Sequence, residues 1–230
     1  MDSINKITPV SFGARHVSSI SVNLGSVMNR YRIYELNKGD DEFVQKLVQA
    51  VDLKKLMPTI SDSHLLNVWN SIFKAAVTQS NDFLGKGVKN YLLVNGDNKP
   101  CGAMSIFKYL NSIYDKYKLR YICTWPTSVG HREPYAGKSL ILSLFNKILG
   151  NDNPSSKIEL EALNNGLFSP VSKYLEMGFS ISGGDNNTTD MRILRNKMPK
   201  IIEKFKDILT VERVKEPEDV DLSQVLDISY

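Results

Sequence analysis

Cysteine and histidine are scarce in this sequence, which has two cysteines and three histidines among 230 residues. Cys101 and Cys123 fall in predicted strands without close histidines, so we expect two buried free thiols in a reducing compartment and no zinc site. No apolar run is long enough to span a membrane, and the N-terminus lacks the basic start and apolar stretch of a secretory signal. These absences predict a cytoplasmic protein without a metal.

Charge is unevenly spread along the chain, whose net charge is +4. Residues 210–230 hold six acidic and two basic residues, a charge of −4, so residues 1–209 carry +8. A basic body suits a polyanionic ligand, from a phosphorylated cofactor to nucleic acid, and it is equally typical of a surface with scattered lysines. No aromatic and basic strand motif of the RNA-binding type is present, which argues against a nucleic-acid partner.

The most informative stretch is residues 118–150, which predicts a strand, a turn and a helix. Leu119, Tyr121, Cys123 and Trp125 alternate with Arg120, Ile122 and Thr124. Pro126 ends the strand because proline cannot donate to a sheet. An apolar stripe at three- and four-residue steps predicts the helix, which Gly150 closes. At the junction of the turn and the helix, backbone N–H groups are unpaired and the helix dipole has its positive end. The turn therefore predicts an anion site, most often for phosphate.

The remaining pattern predicts a single mixed α/β domain with an appendage at each end. Residues 1–29 are rich in Ser, Asn and Gly without a sustained period, which predicts a flexible arm. Residues 30–209 follow the order β-α-α-β-β-β-α-β-α-β-β-α, including a strand at 157–163 that should form a right-handed parallel crossover. Residues 210–230 are expected to be a mobile acidic tail.

Two motifs resemble those of the GNAT superfamily of acyl-CoA-dependent N-acyltransferases, and the resemblance covers residues 31–194. Arg132 and Gly137 fit the pattern of Arg or Gln, two residues, Gly, one residue, then Gly or Ala, although Tyr135 stands where the first glycine belongs. The run from Tyr174 to Phe179 is similar to the Tyr-x-x-x-Gly-Phe that ends the fourth helix of the family.

The resemblance implies a mostly antiparallel mixed sheet, flanked by helices, with one parallel strand pair that splays to admit acyl-CoA. It implies that pantetheine pairs with the backbone of the first splayed strand and that the pyrophosphate takes N–H groups of the turn and helix start. The cofactor-binding residues so implied are Cys123, Thr124, Trp125, Arg132, Tyr135, Ala136, Gly137, Lys138, Ser139 and Asn164.

For catalysis the resemblance implies acetyl transfer from acetyl-CoA to a primary amine by direct attack, in a monomer or a homodimer. Tyr174 would protonate the leaving thiolate, but a core tyrosine is the open alternative. On the predicted strand, Glu161, or Glu159 on the same face, could accept the proton of the amine, and a solvated surface glutamate is the open alternative. The acceptor is not specified, and the loop at 57–63 is a candidate for lining its site. A GNAT-fold module that binds CoA or a partner without catalysis is the competing hypothesis, because Tyr135 departs from the pattern.

The departure at Tyr135 also carries a conformational prediction. A bulky residue at positive φ is strained by about 1–3 kcal/mol, and the turn is longer than the family pattern. We therefore expect Tyr135 to avoid the left-handed region.

Overall fold

The computed structural model describes residues 13–52, 63–78, 87–109, 115–125, 133–150, 153–164 and 170–228. The strands are β1 (Ala14–Asn23), β2 (Met28–Leu36), β3 (Val88–Val94), β4 (Pro100–Lys108), β5 (Lys116–Thr124), β6 (Lys157–Leu163), β7 (Ser180–Gly184), β8 (Thr188–Leu194), β9 (Leu209–Arg213) and β10 (Asp219–Val220). The helices are α1 (Asp41–Ala50), α2 (Ser63–Thr78), α3 (Ala136–Leu149), α4 (Val171–Glu176), α5 (Met198–Phe205) and α6 (Leu222–Val225). Among these described helices, none is both long and apolar enough to cross a lipid bilayer.

All the strands belong to one sheet, in the spatial order β10-β1-β2-β3-β4-β5-β6-β8-β7, with β9 paired to the same edge of β1 as β10. Every pairing is antiparallel except that of β5 with β6. The connection between these two strands includes α3, as parallel neighbouring strands require a crossover connection. The predicted mixed sheet with one parallel pair is therefore confirmed.

Apolar side chains cover both faces of the sheet. Helix α3 buries its stripe, including Leu140 and Phe145, against one face. Helices α1 and α2 bury Leu47 and Phe73 against the other face, where the Phe73 ring meets the Trp125 ring edge-on at 5.0 Å. The sheet therefore lies between two layers of helices, and helices of both layers lie close to the parallel pair.

The expected boundaries at residues 29 and 209 are wrong for the described residues. Strand β1 pairs with both β2 and β9, and its Ile20 and Val22 are buried. Strand β9 begins at Leu209, and α6 places Leu222 in the core. Residues 13–29 and 210–228 therefore belong to the folded domain, because β1 in the first segment pairs with β9 and β10 in the second.

Candidate functional site

Strands β5 and β6 part halfway along their length and open a cavity between them. Their pairing runs only from Lys116 opposite Lys157 to Leu119 opposite Leu160, although β5 continues to Thr124 and β6 to Leu163. A cavity of about 950 Å³ fills the gap and reaches the start of α3, helix α4 and one side of α2. A volume of this size suits a ligand of cofactor dimensions.

Beyond Leu119, the edge of β5 that faces the gap has no strand partner in the described residues. On the other edge, the Trp125 N–H donates to Cys101 O at 2.9 Å, and Cys123 lies opposite Ala103 of β4. Because backbone groups alternate between the two edges, those of Ile122 and Thr124 point into the gap. An extended ligand could pair with them as an added strand would.

The turn that enters α3 is fixed to the sheet by Glu133 and Pro134. The Tyr31 hydroxyl lies 3.0 Å from Glu133 Oε2 and 2.9 Å from Pro134 O, so it shares its hydrogen between them. Asn95 Nδ2 donates to Glu133 Oε1 at 2.7 Å. Burial, followed by the negative charge of Glu133, raises the pKa of Tyr31 above its usual value, which keeps the phenol a donor. The structure therefore gives Glu133 a supporting role beside the site.

Tyr135 adopts the left-handed conformation, with φ 60° and ψ 11°, and caps the N-terminus of α3. The prediction that it would avoid this region is therefore wrong. The anchored Glu133 and Pro134 fix the direction in which the chain reaches Tyr135. Tyr135 adopts a backbone conformation that glycine, expected here from the motif, would adopt without strain.

The first turn of α3 presents free donors to the cavity. The earliest short helical bond runs from Ser139 N–H to Tyr135 O at 2.8 Å, and the Ala136 N–H makes a long contact of 3.5 Å with Glu133 O. The N–H groups of Gly137 and Lys138 have no acceptor among the described residues, and both residues line the cavity. Together with the helix dipole, these groups form a site for an anion.

Gly137 keeps this helix start open. Its φ is not positive, and a Cβ added there would meet only Thr124 Cγ2, at 4.0 Å. Neither backbone strain nor crowding by the protein therefore requires a glycine. A side chain at this position would point toward the free edge of β5, into the space that a ligand would occupy.

Lys138 spans the cavity mouth instead of pointing freely at an anion. Its Nζ donates to Glu176 Oε1 of α4 at 2.7 Å and lies 5.1 Å from the centre of the Tyr135 ring. The hydrogen bond from Lys138 holds the pKa of Glu176 below its ordinary value. The pair joins the two helices that border the site.

Tyr174 also lines the cavity, from the last turn of α4. Phe179 N–H donates to Tyr174 O and Gly178 N–H to Leu175 O, each at 3.0 Å, which is a Schellman C-terminus. Gly178 has φ +81°, and a Cβ there would lie 2.6 Å from Ile201 Cδ1, so glycine is required. The glycine and phenylalanine of the motif thus fix the backbone that carries Tyr174.

The Tyr174 side chain is half-buried against the Phe179 ring, with the ring centres 5.7 Å apart. Its hydroxyl makes no hydrogen bond within the described part of the chain. Burial raises the pKa of Tyr174 to about 12. The phenol therefore stays protonated at neutral pH and is available to donate to a ligand.

The carboxylates that line the cavity are already engaged. Glu161 accepts from Lys118 Nζ at 2.5 Å, and its side chain is 52% exposed. Glu133 is held by Tyr31 and Asn95, and Glu176 is held by Lys138. The structure thus brings Glu161 to the site, on the solvent side of β6 and as half of an ion pair.

Three of the predicted cofactor-binding residues have side chains or backbone groups that are buried or already bonded. Ser139 is fully buried with its N–H bonded in the helix, so it offers no backbone donor to a ligand. Asn164 is occupied by the β7–β8 turn, since it accepts from Thr189 Oγ1 at 2.7 Å and donates to Asp185 O at 3.3 Å. Trp125 is buried against Phe73, with its N–H bonded to β4. None of these three residues lines the cavity, and Arg132 lies outside the described residues.

Cys123 lines the cavity but is 4% exposed, and burial raises the pKa of its thiol to about 12. Cys123 forms part of the cavity wall and is not a nucleophile.

Helix α2 contributes a second wall of the cavity through Val68, Trp69 and Ile72. Of the two aromatic residues Trp69 and Phe73 of α2, Trp69 reaches the cavity, whereas Phe73 is buried in the core. Most of the 57–63 loop lies outside the described residues.

No metal centre is evident in this part of the chain, since the described residues include no group of three or more His, Cys, Asp or Glu side chains that could hold an ion.

No family model and no curated protein sequence matches this chain. Among solved structures, an uncharacterized protein from Bacillus halodurans superposes with a TM-score of 0.52 at 14% identity, covering 86% of this chain and 98% of that one. Apo FdhC, a nucleotide-linked sugar GNAT, gives 0.49 at 13% identity, with 87% and 99% covered. Spermidine N-acetyltransferase from Vibrio cholerae, in complex with CoA and spermine, gives 0.44 at 18% identity, with 74% and 98% covered. At such identities the likeness concerns the fold alone.

The strand order, the single parallel pair and its splay agree with the fold that the two sequence motifs implied. The helix start with free N–H groups lies at the splay, where that fold places it. The chain shares the fold of the solved Bacillus halodurans protein, and its strand order, parallel pair and splay are those that the GNAT-like motifs of the sequence implied.

Proposed function

We propose that this protein transfers an acetyl group from acetyl-CoA to a primary amine in the cavity between β5 and β6. The observation that carries the proposal is the convergence of three features on one space. These are the free edge of β5 at Ile122 and Thr124, the free N–H groups of Gly137 and Lys138, and the phenol of Tyr174.

The bound thioester would lie along β5 with its pyrophosphate at the start of α3. Pantetheine contains amide groups, which suit the backbone donors and acceptors of the free strand edge. The pyrophosphate suits the N–H groups and the helix dipole, and Lys138 adds a cation nearby. This placement directs the acyl group past Thr124, toward the wall formed by Trp69 of α2.

In the reaction, the neutral amine attacks the thioester carbonyl, the C–S bond breaks, and the thiolate leaves. Proton transfer from a phenol of pKa about 12 to a thiolate of pKa about 8.5 is uphill by about 5 kcal/mol. Tyr174 therefore stabilises the departing sulfur by donating a hydrogen bond, and solvent completes the protonation. The proton lost by the amine passes to Glu161 or to water.

The competing proposal is a module that binds CoA without catalysis. It is favoured by one observation, the engagement of every cavity carboxylate in the described residues by a lysine, tyrosine or asparagine. A base that is already paired accepts a proton less readily than a free one.

One experiment separates the two proposals. Acetyl-CoA should raise the melting temperature through binding to the native state, and addition of a library of primary amines should then release free thiol. Glu161→Gln should lower turnover at least about tenfold if Glu161 takes the proton, with Glu203→Gln as an exposed control away from the cavity. A melting shift without thiol release from any amine would favour the binding module. No melting shift would overturn both.

A further inference from the structure

A second cavity lies on the far side of α3 from the splayed strands and has a different chemistry. It has a volume of about 160 Å³ and is lined by residues of β1, β2, β3, β4, β9 and the second half of α3. This space is larger than a single water needs, and it admits a small tetrahedral oxyanion.

Cations predominate at the rim of this cavity. Arg15, Lys89 and Arg213 are exposed there, and Lys147 reaches in from α3. Arg15 is neutralised by Asp219 at 3.2 Å. Arg213 forms no ion pair with any of the described residues, so it brings an uncompensated charge to the rim.

The floor of the cavity contains one carboxylate, Glu35, which both lysines share. Lys147 Nζ lies 3.0 Å from Glu35 Oε2, and Lys89 contacts Glu35 Oε1. Tyr91 donates to Glu35 at 3.1 Å and accepts from Lys147. Each ammonium has three protons and these contacts use only some of them, so both lysines keep donors for a ligand.

Hydroxyl groups complete the floor. Ser143 Oγ donates to Ser18 Oγ at 2.8 Å, and both serines are buried and line the cavity. The Ser18 hydroxyl hydrogen is not used in any hydrogen bond within the described part of the chain. One negative charge against Lys89, Lys147 and Arg213 leaves the cavity with a net charge of +2.

We propose that this cavity binds a small dianionic oxyanion of the phosphate class, held by Lys89, Lys147 and Arg213. The charge of the ligand would balance that of the cavity, and the donors would form charge-assisted hydrogen bonds with it. The site is separate from the proposed acetyl-CoA site, and its test does not depend on acetyl transfer.

The alternative is that Arg213 serves only the end of α3. A Cβ on Gly150 would lie 2.5 Å from Arg213 Nη1, so the guanidinium lies over the helix C-terminus, where a cation is favourable. The test must therefore measure ligand dependence and not stability alone.

The experiment is a phosphate titration of the full chain, followed by melting temperature and by calorimetry at constant ionic strength. Arg213→Gln should weaken phosphate binding about tenfold, whereas Arg30→Gln, an exposed arginine outside the cavity, should leave it unchanged. Gly137→Val, at the other site, should also leave phosphate binding unchanged, and Arg213→Gln should preserve the acetyl-CoA shift.

Comparison of inorganic phosphate with methyl phosphate identifies the source of the ligand. Preference for phosphate indicates the free anion, and preference for methyl phosphate indicates a phosphoryl group on a larger molecule; both support the proposal. The proposal is overturned if phosphate does not bind, if Arg213→Gln and Arg30→Gln have equal effects, or if Gly137→Val alone abolishes binding.

Discussion

Gly137 and Thr124 face each other across the mouth of the splay, and a Cβ on Gly137 would stand 4.0 Å from Thr124 Cγ2. This is ordinary van der Waals contact, so the protein itself leaves room for a side chain. The space between the two residues is where the start of α3 and the free edge of β5 meet. A ligand bound to both elements must pass through it.

Substitutions of Gly137 should therefore affect stability and ligand binding in opposite directions. Gly137→Ala should stabilise the free protein by about 0.5–1 kcal/mol, because Gly137 lies in a helix and alanine loses less entropy there. The same change should weaken acetyl-CoA binding, and Gly137→Val should weaken it further. Urea unfolding and calorimetry measure the two effects. Unchanged acetyl-CoA affinity in Gly137→Val would mean that the ligand does not approach this helix start.

Two substitutions of Tyr135 measure how much its left-handed backbone conformation lowers the free energy of unfolding. Tyr135→Gly and Tyr135→Ala both remove the ring and its contact with Lys138, and they differ only by one Cβ at φ 60°. The glycine variant should be more stable than the alanine variant by about 1–2 kcal/mol in urea unfolding. An alanine variant of equal or greater stability would show that residue 135 is not left-handed in solution.

Tyr174→Phe tests the hydrogen bond to the leaving thiolate. The ring and its packing on Phe179 are kept, so acetyl-CoA affinity should remain nearly unchanged. Turnover should fall by about 10²-fold, the lower end for such assistance, because the phenol donates a hydrogen bond without a complete proton transfer. Steady-state kinetics with an accepted amine give both values, and Tyr121→Phe, in another wall of the cavity, is the matched control. Equal turnover in Tyr174→Phe and wild type would leave Tyr174 with a packing role alone.

Because of Glu35, the free energy of unfolding should depend on pH in the acid range. Burial raises the pKa of Glu35, but the charge of Lys147 and the bond from Lys89 outweigh burial and hold it below the ordinary value of 4.5. Since the unfolded chain binds the proton more tightly, this stabilisation is full above pH 4.5 and is lost as the pH falls through the lower folded value.

Glu35→Gln should accordingly cost about 1–3 kcal/mol at neutral pH, and its difference from wild type should shrink in acid. The exposed Glu212→Gln is the control. Urea unfolding across the acid range measures the free energies. A constant difference between Glu35→Gln and wild type at every pH would contradict this explanation.

The sequence predicted the elements whose pattern is local and strong. Strand β6 matches the predicted residues 157–163, and Ile158, Leu160 and Ala162 are buried as the alternation requires. Strand β1 was missed because serines interrupt its apolar positions, and its strand pairing depends on β9, far away in the chain. Strand β9 is short and carries charged side chains, so nothing in its own composition indicated a place in the sheet.

The site was predictable to the extent that its motifs specify the backbone. Gly178 and Phe179 of the motif fix the end of α4, and Tyr174 lines the cavity. The conformation of Tyr135 could not be inferred, because it depends on Tyr31, a residue of β2 that holds the preceding Pro134. The occupation of Asn164 by Thr189 and Asp185 is likewise a contact between distant segments.

The most direct test of the central claim is mass spectrometry of an amine library incubated with acetyl-CoA and the protein, with thiol release recorded in parallel. The proposed function predicts that at least one amine gains an acetyl group at the rate at which thiol appears, and that Gly137→Val and Tyr174→Phe each slow both signals together. Tight acetyl-CoA binding without any acetylated amine, or acetylation that neither substitution slows, would contradict it.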